Sequence, residues 1–171
     1  MQYLPLFRFR FTVIALAALL GGAPVVRAAT AAAAPNDPSA AIEQAVLAAN
    51  TEIMAAANRL DVDAFFDYIV DTDKGMIVQN GVIFRTRREA YESVKRGLQG
   101  LAAIDRRLEN PQVTVIAPDV ALLVANGSVA ATLSDGRAVN SRFAVSLVFV
   151  LRDGRWKVLH GHYSMQPDRR Q

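Results

Sequence analysis

From residue 39 onward the apolar positions follow first a helical and then a strand rhythm. Ile42, Val46, Ala49, Ile53, Ala56 and Leu60 recur at steps of three and four, the spacing that stacks side chains on one face of an α-helix. Ser39 stands where an N-cap belongs. Asp61 is the next cap, ahead of the aromatic pair Phe65 and Phe66 on a second, short helix. From Gly75 the pattern shortens to that of strands. Met76, Ile77 and Val78 lead into Asn80-Gly81, and Val82, Ile83 and Phe84 follow. Asn-Gly between two apolar runs is the signature of a two-residue hairpin, because both residues tolerate positive φ. Thr86 with Glu89 three residues on forms a capping box. The helix it starts carries the stripe Ala90, Tyr91, Val94, Leu98 and Leu101.

After Leu101 the chain alternates over Asp105 to Ala117, Val120 to Leu133, Ala138 to Leu151 and Trp156 to Met165, broken by Ala-Pro-Asp, Ser-Asp-Gly and Arg-Asp-Gly turns. Long alternating runs joined by tight turns are antiparallel strands in a meander. Three N-terminal helices, a hairpin and four strands predict an α+β domain with its helices on one face of a curved, mostly antiparallel sheet. The late strands are apolar on both faces, with Phe143, Val145, Leu147 and Phe149 on one and Val148 and Val150 on the other. One helical layer covers only one face, so the other is expected to pair with the sheet of a second copy.

The first residues obey a different logic. Arg8 and Arg10 precede the apolar run Phe11 to Leu20, and Gly21, Gly22 and Pro24 interrupt it before small residues. This is the order of a secretory signal peptide, with cleavage expected after Ala28 and a second register at Ala29 and Ala31. The apolar stretch to Val26 is shorter than the roughly 20 residues of a spanning helix, so no stable membrane anchor is expected. Residues 29–38, rich in Ala and Pro, read as a disordered tether, 39–166 as the folded domain and 167–171 as a tail. The protein is expected to be exported, periplasmic or secreted.

Removing the leader changes the charge. Three of the nineteen basic residues precede Ala28, so sixteen remain against sixteen acidic ones. Net neutrality, with no aromatic stacking set beside the basic residues, argues against nucleic acid. Arg85, Arg87, Arg88, Lys95 and Arg96 alternate with Glu89 and Glu92 at salt-bridging spacing, as on a solvated helix face. There is no cysteine, so disulfides, thiolate chemistry and thiolate metal ligands are excluded.

Four strings carry a resemblance: Asn110-Pro111-Gln112-Val113-Thr114-Val115, Asp119-Val120-Ala121, Arg152-Asp153-Gly154-Arg155-Trp156, and the spaced set His160, His162 and Ser164. In this order they resemble the nuclear transport factor 2-like superfamily, over Ile42 to Met165. Its SnoaL-like branch and the association domain of calcium/calmodulin-dependent protein kinase II are the nearest in pattern. The resemblance implies a cone-shaped roll, a pocket between helices and concave sheet, and homodimers paired through their sheets. It also marks departures. The kinase association domain's pocket arginines fall at Asn126 and Leu147, leaving Arg142 as the arginine that could reach in. The ketosteroid isomerase-like general base falls at Gln79 or Asn80, and neither can accept a proton near neutral pH.

The candidate chemistry centres on the last strand. His160 and His162, two residues apart, are expected on one face with Trp156, Val158 and Ser164, lining the pocket. Such a pair can contact an anionic or carbonyl ligand or shuttle a proton, but no further ligand completes a metal set, so neither metal nor cofactor is expected. Asn126, Ser128, Arg142 and Ser146 interrupt apolar runs on the preceding strands. Asp67 and Asp71 read as a solvated face, and Tyr68 joins the candidates at the pocket mouth. The candidate ligand-binding set is therefore His160, His162, Asn126, Ser146, Tyr68 and Arg142, with the partner an unidentified small organic molecule. Without an acidic base or an arginine clamp, binding or assembly is expected rather than catalysis. The alternative is a SnoaL-like enzyme moving a proton on a hydrophobic carbonyl compound, with His160 or His162 as base and Asn126 or Tyr68 holding the oxyanion.

Overall fold

The computed structural model describes residues 37–166 apart from 73 and 75; the expected leader, residues 29–36 of the tether and the tail lie outside them. Helix α1 (Pro38–Asn58) begins two residues earlier than a cap at Ser39 would place it. Asp37, not Ser39, is its cap, accepting the Ser39 N–H at 2.9 Å. Pro38 suits the first turn because its missing N–H would have had no helical partner. The helix buries Val46, Ile53, Ala56 and Ala57, and with them Asn50, which is 5 % exposed. Among the described residues the Asn50 Oδ1 has no hydrogen-bond partner.

Asp61 caps α2 (Val62–Phe66), accepting from the Ala64 N–H at 3.0 Å. The strands β1 (Ile77–Gln79) and β2 (Val82–Phe84) turn on Asn80 and Gly81, with φ of 51° and 78°. The capping box of α3 (Arg87–Leu98) forms as expected. This helix stops three residues before the end of its apolar stripe. Gly100 takes φ 86° and Leu101 becomes the first residue of β3 (Leu101–Ala117). β4 (Val120–Leu133), β5 (Ala138–Arg152) and β6 (Arg155–Met165) complete the meander.

The six strands form one sheet in the order β2-β1-β6-β5-β4-β3. Every neighbouring pair is antiparallel except β1 with β6. The helices pack on its concave face. Leu123, Leu147, Phe149 and Val158 from the sheet meet Val46, Ile53, Phe66 and Met76 in the core. At the free edge of β3 the Asn58 amide replaces a missing strand. Its Oδ1 accepts the Arg106 N–H at 2.7 Å and its Nδ2 donates to the Arg106 carbonyl at 3.1 Å.

One irregularity decides the site. Phe149 pairs with Val158 while Val148 pairs with His160, so Leu159 is an extra residue on β6. An inserted residue reverses the in–out phase of everything beyond it. Trp156 and Val158 are buried in the core, but past the bulge the concave positions are Gly161, Tyr163 and Met165. The expectation that His160, His162 and Ser164 share a face with Trp156 and Val158 is thereby corrected.

Candidate functional site

Between α2, α3, the β1–β2 hairpin and the facing parts of β3 and β6 lies a cavity of about 430 Å³. That volume falls within the roughly 300–1,000 Å³ typical of small-molecule pockets. Phe65, Phe66, Val94, Leu98 and Ile104 give it apolar walls, while Gln79, Asn80, Ser93, Arg106 and Tyr163 are its polar groups. Each comes from a local rule. Val94, Leu98 and, one turn back, Ala90 form the inner stripe of α3; Ile104 and Arg106 are alternate residues of β3; Gln79 stands beside Tyr163 across the parallel β1–β6 ladder.

Arg106 is the site's unusual group. Its guanidinium carbon lies 5.6 Å from the Phe143 ring centroid and 5.9 Å from that of Tyr163. Its Nε is buried and, among the described residues, has no hydrogen-bond partner. The backbone on either side is held by Asn58. Phe143 can stand beneath the guanidinium because its cross-strand neighbour is Gly127; a Cβ there would collide with the ring. Burial pushes the Tyr163 phenol above its ordinary range, with Arg106 pulling the other way. It therefore remains a protonated donor at neutral pH.

The candidate residues named from the sequence stand elsewhere. Cross-strand pairs Ser146–His162, Val148–His160, Asn126–Ala144 and Ser128–Arg142 all lie on the outer, convex face. Five of the six candidates, His160, His162, Asn126, Ser146 and Arg142, are thus brought together, but on the side of the sheet away from the cavity. Arg142 does not reach in; it bonds Glu109 at 2.7 Å. With Asp105, Arg107 and Ser128 it lines an open outer groove of about 710 Å³, where Arg107 pairs with Asp105 at 2.6 Å. Tyr68 lies outside the cavity too, its backbone carbonyl accepting the Val158 N–H at 2.8 Å and its ring under Arg155 at 4.7 Å. Asp67 and Asp71 edge a surface recess with Arg87, Arg152, Asp153 and Lys157. Gln79 and Asn80, the positions indicated by resemblance, do line the cavity. Among the described residues no group of His, Asp and Glu is arranged to hold a metal.

Arg106 and Tyr163, which line the cavity, are not among the candidates that the sequence pattern marks. For Arg106 a signal existed: an arginine on the apolar phase of the alternation Ile104, Arg106, Leu108. Tyr163 offered none, since its orientation depends on the bulge.

Several solved structures share this fold at low sequence identity. An NTF2-like superfamily protein from Salmonella enterica superposes with a TM-score of 0.69 at 13 % identity, over 77 % of this chain and 95 % of that one. A Xanthomonas campestris protein described as a calcium/calmodulin-dependent protein kinase II association domain gives 0.63 at 17 %, over 72 % and 86 %. A Streptomyces avermitilis protein described as an NTF2-like dehydratase gives 0.65 at 20 %, over 72 % and 96 %. At such identities the likeness establishes the fold alone. No curated protein matches the sequence significantly. A family profile does, over residues 46–168, and by that match the chain belongs to the family of SnoaL-like domains.

Proposed function

We propose that the chain is exported, loses its leader near Ala28, and acts as a homodimeric, non-catalytic domain that binds a small organic molecule in the concave cavity. The observation that carries binding is the cavity itself: about 430 Å³ of space with aromatic and aliphatic walls and a few convergent polar groups. A proton-transfer enzyme is the rival reading, and the dehydratase description of the Streptomyces structure favours it. Its base was to be His160 or His162, however, and both stand across the sheet from the cavity.

Thermal-shift screening against a small-molecule library tests the site. Compounds that stabilise the wild type are expected to stabilise His160→Ala and His162→Ala equally and to lose much of their effect on Leu98→Trp, whose bulkier side chain would intrude on the cavity. Shifts that survive Leu98→Trp undiminished, or vanish in the histidine variants, would move the binding site off the concave face.

The dimer reading rests on the outer face, where Val124 is 41 % exposed and Leu122, Val148 and Val78 are half-buried among the polar candidates. A two-fold sheet-on-sheet contact would cover these residues without disturbing the cavity. Sedimentation velocity is expected to show a dimer for wild type and a folded monomer for Val124→Glu; a wild-type monomer at micromolar concentration would refute the contact.

A further inference from the structure

We propose that the molecule held in the cavity is an organic anion, a carboxylate on an aromatic or branched apolar body, with Arg106 as its anchor and Tyr163 as a second donor. This rests on the cavity being a binding site. Arg106 projects from the middle of β3 into the cavity and into a small recess continuous with it, lined by Phe65, Val94, Leu98 and Ile104. A guanidinium keeps its charge in proteins. Here it lies over two aromatic rings and, among the described residues, in no ion pair. The three ion pairs among the described residues, Arg107–Asp105, Arg137–Asp135 and Arg142–Glu109, leave it out. Asp61 borders the recess, but its carboxylate caps α2 through the Ala64 N–H.

Ring faces attract a cation without satisfying its N–H groups. The buried Nε therefore remains a donor without an acceptor, an arrangement that costs free energy until an acceptor arrives. A planar carboxylate fits it best, because Nε and a neighbouring Nη can donate to its two oxygens in parallel. Tyr163 lines the same cavity beside Arg106, and its hydroxyl can donate to the same group. The walls supply the rest of the preference: the apolar body must fit within about 430 Å³, which admits a bicyclic aromatic acid.

The test is calorimetric titration at neutral pH and low salt with 2-naphthoate and its uncharged isostere 2-naphthamide. Wild type is expected to bind the acid at least about tenfold more tightly, the scale of one charge-assisted hydrogen bond. Arg106→Gln should abolish that preference while leaving amide affinity within about twofold, and Arg106→Lys, which keeps the charge but loses the fork, should retain only part of it. Should Arg106→Gln fail to fold, the wild-type comparison and Tyr163→Phe, expected to weaken the acid several-fold and the amide less, carry the decision. Equal affinity for the two compounds, or a preference that survives in Arg106→Gln, overturns the anion proposal and leaves the cavity reading standing. If neither compound binds, both fall.

Discussion

Gly127→Ala, the addition of one methyl group, is expected to destabilise the domain by about 2–3 kcal/mol, the upper part of the range for overpacking a filled core. The new Cβ would collide with the Phe143 ring and lie 2.8 Å from the Arg107 carbonyl oxygen. The first contact could be relieved by moving a side chain; the second involves the backbone of β3, which Asn58 holds in place one residue away. Phe143 is itself 4 % exposed and has little room to yield. For a domain of this size the thermal midpoint should fall on the order of 10 °C. Phe143→Leu combined with Gly127→Ala should recover part of the loss, because the shorter side chain vacates the space the methyl needs. A double-mutant cycle reading about 1 kcal/mol or more of favourable coupling would confirm the contact. A Gly127→Ala variant as stable as wild type would show that the sheet accommodates a side chain there, and that Phe143 is not held under Arg106 by this glycine.

The same pair explains why part of the site could be read from the sequence and part could not. The helices, the Asn80-Gly81 hairpin, the Thr86–Glu89 box and the four long strands follow from spacing and turn chemistry, which act over a few residues. Alternation along each strand was also legible: Phe143, Val145, Leu147 and Phe149 share the buried face as their period requires. What alternation does not contain is its own interruption. Leu159 looks like any apolar strand residue, yet as the extra residue of a bulge it sends His160 and His162 outward and Tyr163 inward. The histidines stand out by their chemistry, but the period that would place them fails one residue before His160. The end of α3 was missed for a related reason. Leu101 continues the helical stripe, and only the left-handed turn at Gly100 assigns it to the sheet. The arginine on the apolar phase of β3 was legible as a breach of pattern, but its meaning depends on Phe143 and Tyr163, which lie far along the chain.

Phe66→Ala should produce a still larger loss, about 3–5 kcal/mol, as for other buried phenylalanines. Phe66 is 1 % exposed and joins the two helices that wall the cavity. Its ring meets Phe65 and Tyr91 edge-on at 5.3 and 5.2 Å. The Arg87 guanidinium sits 5.7 Å above it while donating to the Phe66 carbonyl at 2.8 and 3.3 Å. Tyr91 completes the link by donating its hydroxyl to Asp63 on α2 at 2.9 Å. Truncation thus removes the ring on which α3 rests, leaving α2 and α3 tied chiefly by two polar contacts that solvent weakens. Urea unfolding should show a lower midpoint with an unchanged slope if the domain still unfolds as one unit. Phe66→Leu, which keeps most of the volume, should cost less than half as much. Because Phe66 also lines the cavity, the two variants separate fold from site. Phe66→Leu retains a closed wall and should still bind an apolar ligand, whereas Phe66→Ala opens the wall between α2 and α3 and should weaken binding even at temperatures where the variant is fully folded. Equal stability for alanine and leucine at this position would mean that α3 is held by its capping box and Arg87 alone, and that the aromatic cluster serves the cavity rather than the fold.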